Sequence, residues 1–336
     1  MRIPKARQLP SGSWFCRVRV NGADISITRP TEREAVKAAI LAKAEGVEKK
    51  NRTTLRAAID DYIQARPKLS PATVAGYRVI QRNRATLIMD KPISDITERN
   101  VRASVTRDAA KLSPKTLRNT YGLIGAVLTE QGGVDISRIR LPSGERTEKR
   151  IYSRDEIAAL LDALRGDELE APVLLALMLG LRRSEICALR WDRVDIENRR
   201  ITIDAAVVLD ENRQLVTKET KTRHSTRTLE NCPERLVDAL DALPRGELVV
   251  GLSPDQLSKR WTAFLARNDL PHIGLHALRH TFASIMLSLG VGDLYTMSMG
   301  GWATDRTLRA VYQHTMSDAM TEAERRRNDY FDGLET

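Results

Sequence analysis

Two polar runs, Glu48 to Arg52 and Gly132 to Arg150, break an otherwise patterned chain and constrain its fold more than any other feature. Stretches rich in Gly, Pro, Ser and charge mark connections rather than packed elements. Each block between them is therefore read as a domain with its own apolar core. The 336 residues suffice for this, because domains of about 100 to 200 residues bury cores without disulfide or metal staples. The expected fold is multidomain and mainly α with small β elements. It has a hairpin-plus-helix module at 1–50, a helical domain at 53–131, a linker at 132–150 and a mixed, mainly helical domain at 151–336.

Local patterns give each block its character. From Trp14 to Thr28 the chain reads as a β-hairpin: Arg17, Val18, Arg19 and Val20 alternate by side, Asn21-Gly22 supplies the tight turn, and Ile25 to Thr28 alternate again. A helix capped by Thr31 runs from there to Gly46. In the second block, Ser70-Pro71 and Ser113-Pro114 each place a serine at an N-cap and a proline at the first helical position. Leu55, Ile59, Tyr62 and Ile63 share one helical face. The third block opens with a capping box, Ser153-x-x-Glu156, above a buried face of Ile157, Leu160, Leu161 and Leu164. An apolar helix from Ala171 to Leu179 and a helix after Gly180 follow. Next come strands around Ile201 to Val208, Gln214 to Thr217 and Thr226 to Leu229, then helices to the C-terminus.

Charge is unevenly placed. Residues 1–150 carry 30 Lys and Arg against 15 Asp and Glu, a net +15, while 151–336 carry 24 against 29, a net −5. Positive charge gathered in one part of a chain is the electrostatic footprint of a polyanion, since each neutralised phosphate releases condensed counterions. Double-stranded DNA is the leading partner. No lipidation signal or basic amphipathic anchor supports a membrane, and Ala171 to Leu181 is too short to span one. Met1 to Pro10 has no apolar signal region. Cys16, Cys187 and Cys232 are isolated and odd in number, which fits a reducing cytoplasm rather than a disulfide framework or a zinc ribbon.

Two motifs concentrate chemistry. In Gly180-Leu181-Arg182-Arg183-Ser184-Glu185, Arg182 and Glu185 share a helical face, a pattern that by itself is usually a surface ion pair. In His276-Ala277-Leu278-Arg279-His280, the two histidines and Arg279 form one stripe. Leu278, Phe282, Ile285, Met286 and Leu289 form another, which is expected to hold the polar groups beside a packed face and not inside it. That arrangement suits gripping an anion. The His276/His280 spacing also matches a metal site, but Ala277 stands where a zincin has its base and Arg279 would repel a cation. No metal or other cofactor is expected.

Taken in order, the motifs resemble those of the tyrosine recombinases of the phage integrase family. Gly180-Leu181-Arg182-x-Ser184-Glu185 matches the first arginine box, and Lys221 to Arg227 resembles the β-hairpin lysine segment. His276-x-x-Arg279-His280 matches the second box. Gly301-Trp302 with Val311-Tyr312-Gln313-His314 resembles the terminal box. The resemblance implies that Arg182 and Arg279 clamp a DNA phosphate and that Tyr312 attacks it. Further, His276 assists proton transfer, Lys221 protonates the leaving 5′ oxygen, Glu185 orients its neighbours, and His280 is as much structural as catalytic. Lys218 is a rival for the lysine, and Tyr295 and Tyr330 are rivals for the nucleophile. Trp302 stands where histidine is commoner; an indole cannot be an acid or base, so its role is positional, donating to a phosphate oxygen. Trp14, Trp191 and Trp261 are read as packing residues.

By the same resemblance, 53–131 is a core-site DNA-binding domain. Residues 1–50 are similar to an arm-site module whose Arg17 and Arg19 face DNA. The implied activity is site-specific recombination at attachment sites of a phage or mobile element, by a homotetramer on synapsed DNA in the bacterial host cytoplasm. An excision factor or a host DNA-bending protein would be accessory partners. The alternatives are a type IB-like topoisomerase and a non-catalytic DNA-binding regulator.

Overall fold

In a computed structural model, residues 5–20, 23–45, 52–144, 150–219 and 226–304 are described, together with 325, 327 and 328. The chain forms two compact units, one of Met1–Ala65 with Asn83–Pro142 and the other of Arg66–Arg82 with Ser143–Thr336. Among the described residues the protein is mainly helical with small sheets, and no helix is long and apolar enough to cross a membrane.

The first unit opens with an antiparallel sheet of β1 (Ala6–Gln8), β2 (Trp14–Val20) and β3 (Ala23–Arg29), with β2 in the centre. Alternation along β2 turns Cys16, Val18 and Val20 inward against Ala35 and Ala39 of α1 (Glu32–Glu45). Arg17, opposite Ser26, and Arg19, opposite Asp24, stay exposed on the other face. The Thr31 hydroxyl caps α1 by accepting the Glu34 N–H at 3.3 Å. The expected Asn21-Gly22 turn lies outside the described residues, whereas β1 adds a strand beyond the expected hairpin. Ala6-Arg7-Gln8 offers no apolar alternation, so backbone pairing with β2, not side-chain burial, defines that strand.

Three helices of this unit, α2 (Leu55–Gln64), α4 (Glu98–Ala109) and α5 (Pro114–Glu130), bury Leu55, Ile59, Val101, Leu117, Ile124 and Leu128. The Tyr121 hydroxyl lies 2.9 Å from both Ser104 and the Asp108 carboxylate, fastening α5 to α4. Ser113 caps α5 through the Thr116 N–H. The described part of 132–150 contains no helix or strand.

In the second unit, α3 (Pro71–Asn83) is capped by Ser70, and α6 (Arg154–Ala163) carries the full capping box between Ser153 and Glu156. Nearly every side chain of α7 (Glu170–Leu179) is buried, which explains why its sequence is apolar all round. The helix after Gly180 proves to be a single turn, α8 (Arg183–Ile186), with Arg182 at its N-cap. The expected strand around Ile201 to Val208 is two strands: β5 (Arg200–Ile203) pairs with β4 (Val194–Asp195) and β8 (Arg227–Leu229), while β6 (Ala205–Leu209) pairs with β7 (Leu215–Glu219) in a separate sheet. The break falls at Asp204, whose carboxylate accepts from Arg193 Nε at 2.6 Å. Helices α9 (Glu234–Asp241), α10 (Pro254–Arg267), α11 (Leu275–Ser288) and α12 (Asp293–Gly300) complete the described part. Trp261 is buried and its indole N–H donates to the Ile273 carbonyl at 2.8 Å, a packing role.

Candidate functional site

Four separate pieces of chain converge on one arginine cluster in the second unit. Arg182 comes from the N-cap of α8, Glu185 from its only turn, Arg227 from the first residue of β8, and Arg279 from the first half of α11. The end of α12 and the turn after it close the cluster with Gly300, Gly301 and Trp302.

Glu185, 3% exposed, is the hub. One carboxylate oxygen accepts from Arg182 Nη1, and the other accepts from the Arg182 backbone N–H and from Arg227 Nη2, both at 2.9 Å. Burial alone would raise its pKa. The hydrogen bond and charge of Arg227, then the charge of Arg182, outweigh that and hold the carboxyl below its ordinary value. Arg182 in turn donates through Nη2 to the Gly301 carbonyl. Arg227 donates through Nε to the Met299 carbonyl at 2.7 Å.

Arg279 is 1% exposed. Its Nη1 donates to the carbonyls of Gly180 and Gly300, and its guanidinium carbon stands 3.9 Å from the Trp302 ring centroid. Nη2 is equally buried and has no hydrogen-bond partner among the described residues. Burial, and after it the charge of Arg182, pushes this guanidinium down to about 9; Glu185 pulls the other way and Arg227 adds to the repulsion. The sequence-based expectation that Arg279 and His280 lie beside a packed face is corrected: both are buried. Two main-chain carbonyls and an aromatic face replace the water an exposed guanidinium would keep. Leu289, expected in the apolar stripe, is 66% exposed, since it lies just past the last turn of α11.

Trp302 stacks on Phe282, with centroids 6.3 Å apart and planes 15° from parallel, so its ring lies between α11 and the turn. The turn needs its glycines. Gly301 has φ +68°, and a Cβ there would lie 2.7 Å from Arg227 Nη1, while a Cβ on Gly300 would run into the Trp302 ring.

The other expected residues are distributed as follows. His276 is exposed on α11, its ring centroid 4.9 Å from that of buried His280 in an edge-to-face pair. Lys221, Tyr312 and the rival Tyr330 lie outside the described residues. The rival Lys218 is exposed on β7, opposite Ala206, and Tyr295 is 73% exposed on α12. Among the described residues no three His, Cys, Asp or Glu side chains gather as a metal ion would need. All three cysteines are buried and unpaired, and burial pushes the Cys187 and Cys232 thiols up to about 11.

Arg227 was quoted within the lysine segment but given no role by sequence reasoning. A signal was present: on a period-two strand Arg227 faces the same way as Leu229, and both are buried. A charged residue in register with a core leucine calls for a buried partner, and Glu185 is that partner.

Among the described residues, three guanidiniums around one carboxylate give the cluster a net positive charge, with one buried donor unspent. Such a site attracts and hydrogen-bonds an anion carrying several oxygens. Residues 150–318 match the phage integrase family. The chain belongs to the phage integrase family. It is 27% identical over 217 residues to a protein named "Tyrosine recombinase XerC-like" from Caldanaerobacter subterraneus subsp. tengcongensis, covering 55% of each chain. It is 26% identical over 204 residues to the integrase of Salmonella phage P22, covering 57% of this chain and 51% of that one. The chain thus spans about half the length of the curated relatives it matches. Its fold is that of the Tn1549 transposon integrase solved with circular intermediate DNA, at TM-score 0.66, 20% identity and coverage of 81% of this chain and 99% of the other. A lambda integrase tetramer bound to a Holliday junction is also similar, at TM-score 0.56, 16% identity and 92% and 95% coverage. For this member of the integrase family, the matched span holds every residue of the cluster.

Proposed function

We propose that this integrase-family protein is a site-specific DNA recombinase that cuts and rejoins duplex attachment sites of a phage or mobile element through a 3′-phosphotyrosyl intermediate. The observation that carries the reading is the buried Nη2 of Arg279, beside Arg182 and without a partner among the described residues, in a cluster whose described side chains hold more guanidiniums than carboxylates. In-line attack on a phosphodiester builds negative charge on the nonbridging oxygens, and fixed guanidiniums stabilise that charge where it develops.

In this reading Arg182 and Arg279 clamp the scissile phosphate. The Tyr312 oxygen attacks phosphorus, giving its proton to His276 or solvent; the bond from phosphorus to the 5′ oxygen breaks, and Lys221 supplies the proton that oxygen takes up. The phosphotyrosyl bond keeps the energy of the bond it replaced, so attack by a partner strand's 5′ hydroxyl reverses the step without ATP. Glu185 orients Arg182, and His280 supports His276 from the next turn. Trp302 covers Arg279 and presents its indole N–H to the phosphate. Arg17 and Arg19 of the sheet module and the helices of 53–131 grip flanking DNA, 132–150 links them to the catalytic domain at 151–336, and four copies assemble on two synapsed duplexes. DNA binding is supported by the Tn1549 integrase complex, and four copies on joined duplexes by the lambda integrase tetramer on a Holliday junction. The setting is the bacterial host cytoplasm, with an excision factor or DNA-bending protein as accessory partners.

The test is adduct formation. Protein mixed with a nicked duplex carrying the repeats that flank its gene should become covalently attached to DNA, equally in EDTA and without ATP. Relaxation of plasmids lacking any such repeat would point to a topoisomerase, and binding with no adduct under any condition to a regulator; either outcome overturns the proposal.

A further inference from the structure

Arg227 is the most completely buried charge of the cluster that the reading above leaves without work. Its side chain is 6% exposed, yet all three of its guanidinium nitrogens are engaged: Nη2 and Nη1 approach Glu185 at 2.9 and 3.4 Å, and Nε donates to the Met299 carbonyl at 2.7 Å. Those two partners belong to different pieces of the site. Glu185 sits on the single turn that carries Arg182, and Met299 lies at the end of α12, which leads into the turn that carries Gly301 and Trp302. Arg182 is fixed by the same two pieces, through Glu185 and the Gly301 carbonyl. The two arginines therefore share one carboxylate and one turn, and the space is tight enough that a Cβ on Gly301 would meet Arg227 first and Arg182 next.

We propose that Arg227 is a positioning residue for the phosphate clamp: it locks Glu185 to the Met299–Trp302 turn and shares the carboxylate, so that Arg182 is both held in place and left with positive charge for the DNA phosphate. The inference rests on the recombinase reading and adds to it a residue that touches no reacting atom. A four-residue helix cannot hold a catalytic arginine rigidly by its own hydrogen bonds. A bidentate guanidinium from a paired strand can. Charge acts in the same direction. With Arg227 present, one carboxylate is divided between two cations. Without it, the same carboxylate would neutralise Arg182 alone.

From the elements packed around it, Glu185 faces Arg182 at its own N-cap and Arg227 from β8, with Arg279 of α11 acting at longer range. Removing Arg227 takes away the strongest influence that keeps this buried carboxyl ionised. Its pKa then rises, so that at acidic pH a protonated Glu185 releases Arg182, whereas at neutral pH the ionised carboxylate pairs with Arg182 alone. The loss is therefore larger at acidic pH.

The experiment is a double-mutant cycle of Arg227→Met and Glu185→Gln, run on wild-type protein whose adduct on a nicked flank-repeat duplex has been shown first, so that failure here falls on Arg227 and not on the recombinase reading. Arg227→Met should slow single-turnover cleavage by about 10- to 100-fold, the range seen when a partner that orients a metal ligand is lost, while DNA affinity changes less than about twofold. The ratio of variant to wild-type rate should climb as pH rises from acidic to neutral. In the Glu185→Gln background the same substitution should cost far less and lose its pH dependence, since a neutral amide needs no counter-charge. Arg227→Lys, which keeps the charge and folds with less disturbance, should recover part of the rate. Equal losses in both backgrounds, or a rate ratio flat with pH, would overturn the proposal, as would a loss confined to DNA affinity.

Discussion

The guanidinium of Arg279 is an unusual solute: almost fully buried, hydrogen-bonded among the described residues to main-chain carbonyls through Nη1, and roofed by an indole. Such a group is costly to fold, and in the proposed reaction it is valuable because a donor held in a dry site does not reorganise. Substituting Arg182 or Arg279 with alanine is expected to slow adduct formation by at least the ~10²- to 10³-fold typical of one lost oxyanion donor. Lysine should rescue poorly, since an ammonium lacks the planar fork; single-turnover rates at saturating protein measure this. Trp302→Phe keeps the stack on Phe282 but loses the N–H and part of the attraction to Arg279, a deficit of roughly tenfold, whereas Trp302→His, which can still donate, should retain substantial cleavage. If the Phe variant cleaves like wild type while Trp302→Ala is dead, the indole only packs. At this level the sequence was informative where motifs are contiguous: Arg182 and Glu185 are paired as their spacing indicated. It was silent on the Arg227 partnership because the 42 positions separating that pair hide a contact made only when β8 folds back onto α8.

Helix starts were the most legible elements, for a physical reason: a cap is decided within four residues. Thr31, Ser70, Ser113 and Ser153 all accept the expected N–H bonds. Ser153→Ala should therefore destabilise the second unit by about 1 kcal/mol, seen as a lower denaturation midpoint at unchanged m-value, with Ser113→Ala costing a similar amount in the first. Elements defined by distant pairing were not legible. The β5–β6 break at Asp204 depends on Arg193, and β1 depends on β2. Gly301→Ala probes the turn that several elements share. Its left-handed φ and the 2.7 Å approach to Arg227 should cost about 1 to 3 kcal/mol in thermal unfolding and reduce cleavage further than the stability loss explains.

Across the molecule, charge and chemistry are divided between the ends of the chain. The arginine cluster lies within residues 182–302, while the excess positive charge lies within residues 1–150. Residues 1–50 contribute 11 Lys and Arg against 5 Asp and Glu, a net +6. Their removal should lower affinity for long attachment DNA and flatten the dependence of log K on log salt, because fewer counterions are released. Cleavage of a short core site should survive. An unchanged salt slope would mean that the module meets protein rather than DNA. Recombination by this chain requires a tyrosine to reach the phosphate that the cluster is proposed to hold. The deciding measurement is to trap the protein on a nicked suicide duplex, digest the adduct and identify the DNA-linked peptide by mass spectrometry. The link is expected on Tyr312, and it should be lost in Tyr312→Phe with DNA binding nearly intact; a link on Tyr295 or Tyr330, or an adduct that persists in Tyr312→Phe, would contradict a Tyr312 nucleophile.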